Sequence, residues 1–152
     1  MFYEGDSETL KRRLEWCFKH KLGPGSIPVV GERGGRDIIG LVCPHAGYMY
    51  SGPIAAHSYS ELAKDGTPDV VIILGPNHTG LGSGVSIVDS GYWRTPLGNV
   101  EINTEVAERI IKNSDIVAVD ELAHVQEHSI EVQLPFLQYI YGNHCLLYTS
   151  DA

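Results

Sequence analysis

Short apolar runs separated by helix-like segments are the feature that most constrains the fold of this chain. Residues 37–43 and 69–74 are nearly all apolar and rich in isoleucine and valine, which predicts two strands buried within a sheet. Residues 85–88 and 116–119 predict two further strands, and residues 100–102 predict a weaker one.

Helical spacing of apolar side chains occurs between these runs. It predicts helices for residues 7–19, 53–64, 103–113 and 127–141. Asp6 or Ser7 can cap the first helix, Pro53 suits the first position of the second, and Pro135 marks a kink or a break in the last. Strands that alternate with helices predict an α/β fold, with a central, mainly parallel or mixed sheet and helices on both faces.

Composition excludes several classes of protein. A hydrophobic content of 43% and a charged content of 20% argue against general disorder. A net charge of −8 argues against binding to nucleic acid, which depends on lysine and arginine. We expect no membrane span and no signal peptide, because no apolar run is long enough and no basic start precedes one. Three widely spaced cysteines favour a reducing cytoplasm over a disulfide framework.

Two of the predicted strands end in similar loops that carry a histidine. His45 follows residues 37–43 almost directly, and His78 follows residues 69–74 after a short turn. Because ligands of open α/β sheets bind beyond the carboxyl ends of strands, neighbouring strands would bring both imidazoles to one edge. Such a pair indicates part of a metal site, with His45 and His78 as ligands. The alternative is that each histidine is a polar loop residue bonded to the backbone.

A third cluster, His124-Val125-Gln126-Glu127-His128, fits the H-x-x-E-H pattern of inverted zinc peptidases. On one continuous helix, His124 and His128 would share a face, with Glu127 as the base. A second interpretation is a solvated helix N-terminus at which Glu127 favours the helix dipole. A third, which we prefer, makes Glu127 and His128 catalytic groups that transfer protons in a pocket shared with the other histidines.

Four motifs stand in order along the chain. They are PHAGY at residues 44–48, LGPNH at 74–78, RTPLG at 94–98 and EHSIEVQLPF at 127–136. Together they strongly resemble the Memo family of archaea and bacteria, also called the AmmeMemoRadiSam system protein B group. The family has a eukaryotic relative known as mediator of ErbB2-driven cell motility. The resemblance begins at Phe2-Tyr3 and extends to about Asn143.

This resemblance implies a fold like that of the LigB-type class III extradiol dioxygenases. It implies that His45 and His78 match two metal-ligand histidines of the family, whose members bind iron or copper. The family's third ligand is a cysteine from the later half of its sequence. His128 matches a histidine in the same cleft, and a proton-transfer role for it follows only by analogy with the dioxygenases.

The resemblance also predicts how the chain is organised. Residues 1–143 are expected to be the N-terminal part of a single, truncated Memo-like domain, so the metal site within them would be incomplete. Residues 144–152 resemble translated sequencing-adapter sequence and are expected to be a tail that is not native. We therefore assign no function to His144 or Cys145.

Three functions follow from these observations. The first is a Memo-like protein that uses divalent iron or copper, related in fold to the dioxygenases and possessing redox activity of an unspecified kind. The second is a non-catalytic module that binds a small molecule or a peptide in the same cleft, although the acidity of the chain weighs against an anionic ligand. The third is the zinc peptidase, which requires a continuous helix over residues 124–128.

Overall fold

The computed structural model describes residues 2–32 and 37–142 in full, and residues 146–151 as backbone. Its helices are α1 (Ser7–Lys19), α2 (Tyr48–Lys64), α3 (Thr104–Lys112) and α4 (Leu134–Tyr141), with 3₁₀ turns at Glu121–Ala123 and Glu131–Gln133. Its strands are β1 (Val70–Gly75), β2 (Ser86–Ile87), β3 (Tyr92–Thr95), β4 (Gly98–Glu101), β5 (Ala118–Val119) and β6 (Leu146–Asp151). Within the described ranges, no helix combines the length and the apolar character that crossing a bilayer requires.

The strands form a mixed α/β structure, as the sequence predicts. The main sheet has the order β1-β6-β2-β5, in which β1 and β6 are parallel, β2 and β5 are parallel, and β2 and β6 are antiparallel. Strands β3 and β4 form a separate antiparallel hairpin, of which only the second strand was predicted. Strand β1 is not the fully buried strand that its composition predicts: Val71 and Ile73 are partly buried against the core, whereas Ile72 and Leu74 on the other face are 53% and 75% exposed.

Helix α1 has the bounds that its sequence predicts. The side chain of Asp6 caps it by accepting a hydrogen bond from the backbone N–H of Thr9 at 3.0 Å. One face of the helix is completely buried, and it consists of Leu10, Leu14, Cys17 and Phe18. This face packs against helix α2 and forms one wall of the core.

Helix α2 begins at Tyr48, five residues before the predicted start at Pro53. Proline inside a helix removes one backbone hydrogen bond, and packing against α1 keeps the helix continuous here. The close contact lies at Gly52, where a Cβ atom would stand 2.4 Å from Sγ of Cys17. The predicted helix boundary was therefore wrong, because tertiary packing outweighs the local effect of proline.

The segment of residues 37–43 is not a strand, which corrects the prediction from its apolar composition. Within the described residues no strand pairs with it, and its side chains Ile39 and Val42 are exposed. The Asp65 carboxylate accepts hydrogen bonds from the N–H groups of Asp37 at 2.9 Å and Ile38 at 3.2 Å. The Asp65 side chain, at the end of α2, thus satisfies the first two N–H groups of a segment that has no neighbouring strand among the described residues.

The predicted helix over residues 127–141 is confirmed only in its second half. Residues 124–130 form turns and coil, and helix α4 begins at Leu134 with Pro135 in its first turn. Proline is favoured there because the first turn lacks hydrogen-bond partners for its N–H groups. Pro135 therefore starts the helix instead of kinking it, and residues 127–130 are left as an irregular segment.

Aromatic packing and hydrogen bonds attach the residues just after this irregular segment to α2. Phe136 stacks on Tyr59 with ring centres 4.7 Å apart. The hydroxyl of Tyr59 donates to Oε1 of Gln133 at 2.6 Å, and the hydroxyl of Tyr48 donates to the carbonyl of Val132 at 2.6 Å. These contacts fix the chain just after residues 127–130 against the helix that begins next to His45.

Candidate metal centre

Three histidines from three separate loops meet at one end of the molecule. His45 lies just before α2, His78 follows β1, and His128 lies in the irregular segment before α4. Their ring centres are 5.1 Å apart for His45 and His78, 4.9 Å for His78 and His128, and 6.0 Å for His45 and His128. Two imidazoles bound tetrahedrally to one ion, with N–metal distances near 2.1 Å, have ring centres about 5 Å apart. The two spacings that involve His78 match that arrangement, whereas His45 and His128 are farther apart.

Close packing between two loops brings His78 to His128. A Cβ atom at Gly75 would lie 2.4 Å from Oγ of Ser129, so only glycine allows this approach. The Ser129 hydroxyl donates to the carbonyl of Pro76 at 3.0 Å. Beyond His78, the side-chain oxygen of Asn77 accepts hydrogen bonds from the N–H groups of Thr79 and Gly80, which shapes the turn.

Glu127 is the buried centre of the cluster and is 4% exposed. Its Oε2 accepts a hydrogen bond from the backbone N–H of His78 at 2.5 Å. Its Oε1 accepts from Nδ1 of His78 at 3.0 Å and from the backbone N–H groups of His128 at 2.7 Å and Ser129 at 2.9 Å. Nδ1 of His128 also lies 3.2 Å from Oε1. One carboxylate thus holds both histidine loops together.

These donors decide the protonation of Glu127. Burial raises the pKa of this carboxyl, but hydrogen bonds from the His78 ring and from three backbone N–H groups outweigh it and hold the pKa at about 2. Glu127 is therefore a carboxylate at neutral pH and receives Nδ1–H of His78. In the neutral tautomer that donates from Nδ1, Nε2 of His78 carries the free lone pair through which a histidine binds a metal.

The surroundings of His45 favour its neutral form. Partial burial and the nearby rings of His78 and His128 lower its pKa, and the negative charge of Glu127 opposes them only in part. A neutral imidazole is the metal-binding species. Ligand atoms of His78, Glu127 and His128 all lie within 4.8 Å of one another, so these three residues form a group that could hold one ion. His45 is not part of that group and lies beside it, with its ring centre 5.1 Å from that of His78.

His124 takes a different place from the one that the H-x-x-E-H pattern predicts. Its ring packs edge-on against Trp93 with centres 6.0 Å apart, at the end of the 3₁₀ turn Glu121–Ala123. No helix runs through residues 124–128, so His124 and His128 do not share a helix face. The zinc-peptidase interpretation is wrong, because its geometry depends on that helix.

One side chain at the site, that of Phe2, is not predicted from the sequence. The ring of Phe2 stacks on His128 with centres 4.0 Å apart and an angle of 12° between the planes. The motif at the start of the chain was seen only as part of a family resemblance, since no local spacing relates Phe2 to His128. His144 and Cys145, to which we assign no function, lie outside the described residues.

Fold and site together define a mixed α/β protein with a candidate metal centre built from histidines of strand-end loops. A family model described as Memo-like protein matches residues 1–147, which is nearly the whole chain. The chain belongs to the Memo-like family.

Archaeal members of the MEMO1 family are closely similar in sequence. The protein of Methanothermobacter thermautotrophicus is 57% identical over 142 residues, which cover 93% of this chain and 50% of the relative. The protein of Metallosphaera sedula is 56% identical over 146 residues, covering 96% and 52%. The protein of Methanopyrus kandleri is 55% identical over 141 residues, covering 93% and 50%. The chain thus spans about half the length of the curated relatives it matches.

Proposed function

We propose that this chain supplies most of a metal centre in which His45 and His78 bind divalent iron or copper. His128 is the third imidazole of the same centre. The observation that carries the proposal is the convergence of the three rings, whose centres are 4.9 to 6.0 Å apart. Imidazole nitrogens suit both metals. Bound iron or copper would supply one-electron chemistry, which makes the whole protein a redox protein in this proposal.

Glu127 acts as the orienting carboxylate of the centre. A metal-bound histidine commonly donates its second N–H to a carboxylate, which fixes the tautomer and the ring. Glu127 is the carboxylate that accepts this hydrogen bond from His78, and its low pKa keeps it ionised at neutral pH. The proton-transfer roles predicted for His128 and Glu127 form an alternative, in which His128 stays off the metal.

A pocket beside the histidines supports a second candidate function, the binding of a small molecule. The pocket has a volume of about 790 Å³ and reaches both His45 and His128. Its walls include Phe2, Val42 and Ile54. Apart from His45 and His128, the described residues that line it have side chains without a formal charge. Such walls favour a neutral, largely apolar ligand over an anionic peptide.

Metal analysis of single variants tests the proposal. The purified chain is loaded with Fe(II) under anaerobic conditions or with Cu(II), and the affinity is measured by competition with a chelator. We expect His45→Ala and His78→Ala to weaken binding at least about tenfold, since even outer hydrogen-bond partners of metal ligands contribute that much. His57→Ala is the matched control, because this exposed histidine on α2 bonds to the carbonyl of Leu22.

The outcomes separate the candidates. Unchanged affinity in both His45→Ala and His78→Ala would reject the metal centre. If His128→Ala binds the metal as tightly as the wild type does, His128 is not a ligand, and the alternative in which it transfers protons is favoured. If a neutral apolar dye such as Nile red binds the metal-free chain and its affinity is undiminished in His78→Ala, the pocket functions as a binding module without the metal.

A further inference from the structure

Among the described residues, Phe2 is the one aromatic side chain outside the histidine cluster that stacks face to face on one of its histidines. Its ring lies 4.0 Å from that of His128, centre to centre, and the planes differ by 12°. Phe2 is still 41% exposed, so the contact is not the by-product of burial in a packed core. One face of the His128 ring is therefore covered by Phe2.

The backbone of Phe2 is fixed independently of this stacking. Its carbonyl accepts a hydrogen bond from the N–H of Tyr48 at 2.8 Å, at the start of α2. A Cβ atom at Gly47 would lie 3.3 Å from the same carbonyl, so glycine permits the close approach. The Tyr3 hydroxyl donates to the Glu131 carboxylate, just beyond His128. Residues 2–3 thus connect the two segments that carry His45 and His128.

The carboxylate of Glu127 does not by itself define the plane of the His128 ring. Its Oε1 already accepts three shorter hydrogen bonds, and Nδ1 of His128 lies farther away, at 3.2 Å. The His78 ring stacks on His128 at 4.9 Å and 21°, and the closer and more nearly parallel ring of Phe2 adds a further constraint on the plane of His128.

We propose that Phe2 is a positioning residue that sets the ring plane of His128 and so directs its Nε2 toward the ion. This inference rests on the proposed function, in which His128 is the third imidazole. Phe2 contributes no ligand atom itself. It acts through His128, as outer-sphere partners of metal ligands do.

Three variants and two measurements test the inference. Phe2→Leu removes the flat ring and keeps apolar bulk, Phe2→Tyr restores the ring, and Tyr92→Leu is the control at another exposed aromatic residue. The first measurement is the proton shift of the His128 ring in metal-free protein by NMR, where the ring current of Phe2 moves it upfield. The second is Cu(II) affinity by chelator competition, together with the electron paramagnetic resonance spectrum.

We expect Phe2→Leu to abolish the upfield shift, to weaken Cu(II) binding about tenfold and to change the spectrum. Phe2→Tyr should restore all three properties, and Tyr92→Leu should alter none. An absent upfield shift in the wild type, or unchanged affinity and spectrum in Phe2→Leu, would overturn the inference. If His78→Ala binds Cu(II) as tightly as the wild type does, both the proposed function and the role of Phe2 are rejected. If Cu(II) affinity falls in His78→Ala but not in Phe2→Leu, only the role of Phe2 is rejected.

Discussion

Replacing Glu127 by glutamine tests how much one buried carboxylate holds the histidine loops together. The substitution keeps the size of the side chain and removes its charge. Glutamine can keep its carbonyl oxygen at the position of Oε1, where three hydrogen bonds converge. Its NH₂ group then replaces Oε2 and faces the backbone N–H of His78, so two donors oppose each other.

Two routes give the size of the effect. The pKa of Glu127 falls from 4.5 to about 2 in the folded chain, which corresponds to roughly 3 kcal/mol of stabilisation at neutral pH. Independently, a buried donor without an acceptor costs about 1–3 kcal/mol, and the lost charge weakens the remaining hydrogen bonds. We therefore expect Glu127→Gln to lower the free energy of unfolding by about 3 kcal/mol at pH 7.

The pH dependence follows from the direction of the shift. Because the folded pKa lies below the unfolded one, the stabilisation is complete above about pH 4.5 and is lost as the pH falls toward 2. Urea unfolding at pH 7 and pH 3, followed by circular dichroism, measures the free energy of unfolding of the wild type and of Glu127→Gln at both pH values. Glu108→Gln on the exposed surface of α3 is the matched control and should stay within about 0.5 kcal/mol of the wild type. Equal stability of Glu127→Gln and the wild type at pH 7, or a deficit that does not shrink by pH 3, would refute this reasoning.

Two further substitutions probe the packing that positions the site. Gly52→Ala should destabilise the chain by about 1–3 kcal/mol in urea unfolding, because its Cβ would overlap Sγ of Cys17, and a stabilised variant would contradict the α1–α2 contact. Tyr59→Phe should cost about 1–2 kcal/mol, because Oε1 of Gln133 loses its donor inside the core, and an unchanged midpoint would show that this hydrogen bond is dispensable.

Helix α1 and the convergence of His45 with His78 could be predicted because their signals are local. The cap at Asp6 and the apolar spacing lie within one segment, and they specify both ends of the helix. The two histidines follow runs of similar character, and the sheet-edge rule then places them together, although residues 37–43 reach that position without forming a strand.

The remaining features depend on contacts between distant parts of the chain. The failure of residues 37–43 to form a strand involves Asp65, at the far end of α2. The early start of α2 depends on the fit of Gly52 against Cys17. The stacking of Phe2 on His128 joins the start of the chain to the segment before α4. No periodicity or motif within a window of sequence carries such information.

The central claim is that three imidazoles from separate loops surround one ion. X-ray absorption at the metal edge of the Cu(II)-loaded chain measures it most directly, because imidazole ligands give a characteristic outer-shell scattering pattern. We expect nitrogen at about 2.0–2.1 Å with the pattern of three imidazoles, reduced to two in His78→Ala and unchanged in His57→Ala. A metal surrounded only by oxygen, or a pattern that His78→Ala leaves intact, would contradict it.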